Sequence, residues 1–161
     1  MKNFNKHFFI IAIAILFVAC GGNDKNEHNN RMTFKGTHET KKGSIYSFRM
    51  EDRLAVLTVG EQSSSIMLYS IQFSDNKNII SYIEEFNFNI PGIKMAIENG
   101  DTIFSGSNLT PEISINTYNL GDQGFEVLKL SGSLHDGMLN LDYTIKRSGV
   151  TLEEEFRGTK Q

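Results

Sequence analysis

Two acidic side chains fall on strand faces that are otherwise apolar. Two-residue alternation places Glu154 with Val150, Leu152 and Phe156, and Glu84 with Phe86, Phe88 and Ile90. A carboxylate enclosed by hydrocarbon is costly unless it is paired or hydrogen-bonded. The chemistry this suits is recognition. Glu84 and Glu154, with Phe86, Phe88 and Tyr143 on the same inner faces, could orient the polar head of a small hydrophobic ligand. The competing placement is a strand end at a wet rim, or a bulge that turns the side chain outward. That placement costs less and is the favoured one of the two.

The remaining reactive residue types assemble no site. His7, His28, His38 and His135 have no i, i+2 or i, i+4 partner that would build a metal face, and all are expected in solvated positions. Asp122, Asp136, Asp142 and the Glu153-Glu154-Glu155 run lack the spacing of a calcium loop and fit a solvated strand face. Gly-x-Ser-x-Gly, phosphate-loop and dinucleotide patterns are absent from the sequence. Catalytic residues, a metal and a cofactor are therefore not expected, and neither is enzymatic activity.

The only cysteine, Cys20, cannot close an intramolecular disulfide. Its surroundings give it another use. Lys2 and Lys6 form a basic n-region, and Phe8 to Ala19 is wholly apolar. As a helix this run spans about 18 Å, short of a hydrocarbon core of roughly 30 Å, so it fits a cleaved signal sequence. Val18-Ala19-Cys20-Gly21 resembles a bacterial lipobox, although Phe17 stands where Leu is usual. Residues 1–19 are thus expected to be removed and Cys20 to be lipidated. Several acyl chains, each contributing about 0.8 kcal/mol per buried CH₂, would give a durable membrane anchor. Residues 20–30 hold no aliphatic or aromatic side chain and fit a flexible tether.

Of 161 residues, 16 are basic and 19 acidic. Loss of Lys2 and Lys6 leaves a charge of −5. No cationic patch is available for phosphates, which argues against a nucleic-acid partner.

The elements that must position Glu154 and its neighbours are strands. Leu139, Leu141, Tyr143 and Ile145 alternate with polar residues; so do Phe86, Phe88 and Ile90, and Leu128, Leu130 and Leu134. Turn signals such as Asn99-Gly100, Asp136-Gly137 and Ser148-Gly149 separate the runs. Strands are expected near 31–38, 44–50, 53–60, 64–73, 82–90, 93–98, 101–107, 112–118, 125–134, 138–147 and 150–159. The run over 60–83 does not alternate cleanly and could be buried on both faces. An apolar-x-Gly-Ser/Thr motif recurs at Phe34 to Thr37, Phe104 to Ser107, Leu130 to Ser133 and Phe156 to Thr159. Glycine inside a strand permits a bend or close packing, as at a barrel corner. Pairing of the first and last copies would close the sheet and remove its edges.

The lipobox, the polar tether, the Phe-x-Gly-Thr opening and ending, and the Gly137 to Ile145 strand together resemble the calycin-like β-barrel domain of Bacteroidetes lipoproteins. That resemblance implies an antiparallel up-and-down barrel, distantly lipocalin-like, over residues 31–160. It implies no reaction and brings no functional residues with it. Asp101-Thr102-Ile103 is also similar to the O-glycosylation tripeptide of that bacterial group, which makes Thr102 a possible acceptor. Two functions follow as expectations. One is a lipid-anchored envelope protein, in the outer membrane because Gly21 does not resemble an inner-membrane retention signal, holding a small hydrophobic ligand. The other is a structural or protein-interaction module with a solid core.

Overall fold

The computed structural model describes residues 31–42, 49–60, 63–73 and 85–161. The expected signal sequence, tether, Cys20 and Glu84 lie outside the described residues. Ten antiparallel strands make up the fold: β1 (Arg31–Lys42), β2 (Arg49–Thr58), β3 (Ser64–Ile71), β4 (Phe86–Glu98), β5 (Asp101–Leu109), β6 (Glu112–Ile115), β7 (Tyr118–Gly121), β8 (Phe125–His135), β9 (Met138–Arg147) and β10 (Val150–Lys160). No helix occurs among the described residues. Eight strands run in the order β3-β2-β1-β10-β9-β8-β5-β4, and β4 pairs back to β3. The result is a closed antiparallel barrel in which each strand neighbours the next in sequence, except where the β6–β7 hairpin adds to β4 beyond the end of β5. Arg31, the Asn99-Gly100 and Asp136-Gly137 turns and Lys160 lie at one end, the terminal end. Lys42, Arg49, Ile71, Phe86, Phe125 and the Ser148-Gly149 turn lie at the other, the far end.

Closure takes place where the recurring motif suggests. Gly36 stands opposite Gly158 in the β1–β10 ladder, and Phe34 opposite Lys160. The two inner copies pair with each other in the β5–β8 ladder, Phe104 against Gly132 and Gly106 against Leu130. Gly36, Gly132 and Gly158 make room for the backbone of a neighbouring strand, whereas Gly106 makes room for the Leu109 side chain. A Cβ on Gly36 would stand 1.9 Å from the Arg157 carbonyl oxygen and 2.4 Å from the Gly158 α-carbon.

Several boundaries differ from expectation, each for a local reason. β1 continues past residue 38 to Lys42. The strands expected at 44–50 and 53–60 are not separate over the described residues: Arg49 to Thr58 is one strand, with a register shift around Asp52 at φ 58°. Over the described residues the strands expected at 82–90 and 93–98 are one, β4, which starts at Phe86 and runs through Pro91 and Gly92. The 112–118 run divides into β6 and β7. β3 does alternate, with Ser64, Ile66 and Leu68 buried and Ser65, Met67 and Tyr69 half-buried. A register shift between Leu68 and Ile71 brings Ile71 inside and breaks the pattern in the sequence. In β8 a shift between Val127 and Lys129 puts Phe125 and Val127 inside, so Leu128 does not share the inner face of Leu130.

The interior is filled with side chains. Phe34, Phe88, Phe104, Phe156, Leu57, Ile66, Ile90, Ile93 and Leu139 are fully buried. In the far half Phe73, which follows β3 and lies outside any strand, packs against Phe86, Phe88 and Phe125 with ring centroids 5.5, 5.2 and 5.4 Å away. Edge-to-face and tilted arrangements of this kind contribute beyond the area they bury.

Candidate functional site

Four polar side chains lie on the inner face of the far half: His38, Thr40, Tyr143 and Glu154, none more than 3% exposed. Three adjacent strands supply them. β1 turns Phe34, His38 and Thr40 inward by alternation; Thr40 is opposite Glu154 on β10, and Glu154 is opposite Tyr143 on β9. Tyr143 Oη lies 2.5 Å from His38 Nε2. The Thr40 hydroxyl donates to the Glu154 carboxyl and lies 3.0 Å from both oxygens. His38 Nε2 is 3.6 Å from Glu154 Oε2.

That last distance is within ion-pair range, yet both groups are neutral near pH 7. Burial pushes the Glu154 carboxyl up to about 9, although the Thr40 hydrogen bond favours ionisation. Burial, and then the positive charge of Arg53, hold the His38 imidazole down at about 3. Tyr143 is raised above the ordinary phenol range by burial and by Glu154, so it keeps its proton. A neutral imidazole has one donor nitrogen and one acceptor nitrogen. Among the described residues the Tyr143 hydroxyl has His38 Nε2 as its partner, so we assign the phenol as donor and place the imidazole proton on Nδ1. Nδ1 is buried and has no partner among the described residues.

Aromatic rings enclose this cluster. The His38 ring meets Phe73 edge-on at 5.8 Å, and Tyr143 stacks on Phe88 at 6.5 Å. Removing the Tyr143 hydroxyl leaves a second buried imidazole nitrogen without a partner. Tyr143→Phe is therefore expected to lose about 1–3 kcal/mol of stability, measured as a fall in the urea midpoint.

The structure brings together Phe86, Phe88, Tyr143 and Glu154 of the residues singled out by sequence. The wet-rim placement favoured for Glu154 is corrected: the residue is 2% exposed, because β1 continues to Lys42 and covers it through Thr40. The solvated placement of His38 is corrected for the same reason, since β1 extends beyond it. Asp122, Asp136, Asp142 and Glu153 are exposed, as a solvated face requires. Thr102 is half-buried in β5, between Ile97 and Leu134 on the flanking strands. Sequence reasoning missed His38, Thr40 and Arg53. The signal was available: His38 and Thr40 continue the spacing of Phe34 and Gly36, and Arg53 that of Ala55 and Leu57.

Among the described residues no three His, Cys, Asp or Glu side chains gather in a way that could hold a metal ion. No family model, curated protein or solved structure matches the chain.

Proposed function

We propose that the protein is a lipid-anchored, calycin-like barrel of the cell envelope that binds one small hydrophobic ligand in the far half of its interior. The cluster of His38, Thr40, Tyr143 and Glu154 carries this reading. Well-packed hydrophobic residues fill a core at no greater cost than buried ionisable ones, and often at less. Four polar side chains on one inner surface, one with an unpartnered nitrogen, suit the polar end of a ligand. Phe86, Phe88 and Phe125 suit its apolar body. Phe73 occupies the place that body would take, and of the four rings it alone lies outside a strand. The anchor and the outer-membrane location rest on the Lys2 to Gly21 sequence.

Native mass spectrometry of the full chain purified from the envelope tests the binding function. A bound mass on the wild-type protein, with higher occupancy in Phe73→Ala, is expected. Absence of any adduct in both would overturn it. Replacing Cys20 by Ala tests the anchor: the variant is expected to leave the membrane fraction in an alkaline wash, and retention there would show that the lipid is not what holds it.

A second reading, a structural or interaction module, is favoured by two other features. Phe34, Phe88, Phe104 and Phe156 fill inward positions that a hollow barrel would give to small residues. The β6–β7 hairpin also presents Tyr118 and Leu120 to solvent.

A further inference from the structure

Two buried nitrogens on adjacent strands have no hydrogen-bond partner among the described residues: His38 Nδ1 on β1, which carries the imidazole proton in the tautomer assigned above, and Arg53 Nε on β2. The β1–β2 ladder sets Gly36 opposite Arg53 and His38 opposite Met50, with the register shift between them. His38 and Arg53 are therefore diagonal neighbours, close enough for long side chains to meet. Alternation puts Arg53 on the face of Ala55 and Leu57, opposite Gly36 in the ladder.

The groups nearby do not satisfy these donors. Glu154 is engaged with Thr40, and Tyr143 with His38 Nε2. Glu85, ahead of β4, reaches the Arg53 terminal nitrogens at 3.4 and 3.5 Å, long for charge-assisted bonds of about 2.7–2.9 Å. It leaves Nε without a partner. An unpartnered buried donor is costly and is ordinarily matched by some acceptor. The unmatched set consists of two N–H donors and one weakly paired positive charge. Its complement is a group with two acceptor oxygens and a single negative charge; a phosphate dianion would carry excess charge into an apolar interior.

We propose that the barrel's ligand is a monocarboxylate with an apolar body, whose oxygens accept hydrogen bonds from His38 Nδ1 and Arg53 Nε. This assignment rests on the ligand-binding function proposed above and specifies the ligand's polar end. The apolar body lies against Phe86, Phe88 and Phe125, in the place that Phe73 fills in this structure.

The experiment is a competition. Delipidated full chain is incubated with equal concentrations of octanoate and 1-octanol, and the bound masses are read by native mass spectrometry. Wild type is expected to prefer octanoate at least tenfold. Arg53→Met should weaken octanoate binding by about ten- to a hundredfold, as expected when a hydrogen-bonded charge partner is lost, and so abolish most of the preference over octanol. If Arg53→Met does not fold, Arg53→Lys keeps the charge but lacks the Nε–H, and a loss of about tenfold is expected. Equal binding of acid and alcohol by wild type, or an unaltered preference in the Arg53 variant, would overturn the carboxylate assignment while leaving ligand binding intact. Binding of neither compound by wild type or Phe73→Ala would remove the ligand-binding function itself.

Discussion

Glu154→Gln is expected to make the protein more stable than wild type at pH 8.5, by on the order of 5 kcal/mol, and within about 1 kcal/mol of it at pH 5. The reason is the proton that the folded state retains. Glu154 titrates near 9 when folded and near its ordinary 4.5 when unfolded, so between those values the native state holds a proton the unfolded chain lacks. Stability then falls as pH rises through that window, by at most about 1.4 kcal/mol per pH unit. His38 acts in the opposite sense. Its folded value near 3 lies below the ordinary 6.5, so between them the unfolded chain binds the extra proton and stability rises with pH. From pH 4.5 to 6.5 the two slopes offset each other. The wild-type urea midpoint is expected to be level there, to drop below pH 4.5 and to drop steadily above 6.5. A carboxamide has no proton to lose, so the glutamine variant should lack the part of the alkaline decline that Glu154 causes. His135, raised by its exposed contact with Asp101, contributes stability that is present below pH 6.5 and lost as pH rises through its folded value. Its decline persists in Glu154→Gln, which separates the two. A wild-type midpoint that stays level from pH 6.5 to 9 would show that Glu154 is not a buried neutral acid.

The second large effect concerns closure of the sheet. Gly36→Ala is expected to cost at least about 3 kcal/mol, because the added methyl would stand 1.9 Å from a backbone oxygen and no rotamer change can relieve it. Relief requires β1 to part from β10, which would break the seam of the barrel. Gly124→Ala is the control. Its φ of +74° makes alanine strained, but a Cβ there meets nothing within 4 Å, so a loss of only about 1–2 kcal/mol is expected. Denaturant unfolding of the two variants side by side measures the difference. A Gly36→Ala midpoint no lower than that of Gly124→Ala would mean that the seam has slack.

Much of this architecture was legible as alternation. β9 and β10 fall within a residue or so of their expected positions, and the pairing of the Phe34 and Phe156 segments was visible in a motif that only closure makes useful. What was not legible traces to bulges. Asp52 and Ser70 adopt positive φ beside register shifts in β2 and β3, and each shift reverses which parity faces inward. Neither residue type announces such a position as glycine would. The candidate site was half visible for a related reason. Glu154, Tyr143, Phe86 and Phe88 sit in clean alternating runs, whereas His38 and Thr40 follow Gly36 in a polar stretch whose inner face holds few hydrocarbon side chains. Polar residues on an inner face look like polar residues anywhere until the partner strand is known.

The central position of β1 also has a mechanical consequence. It is flanked on both sides, by β2 from Arg31 to Glu39 and by β10 from Phe34 to Lys42. Antiparallel hydrogen bonds lie across the strand direction. A load drawn through Arg31 along the strand axis would therefore strain both ladders in shear, sharing the force among many bonds at once instead of unzipping them singly. A chain held by its N-terminus would resist traction at the strand where traction is applied.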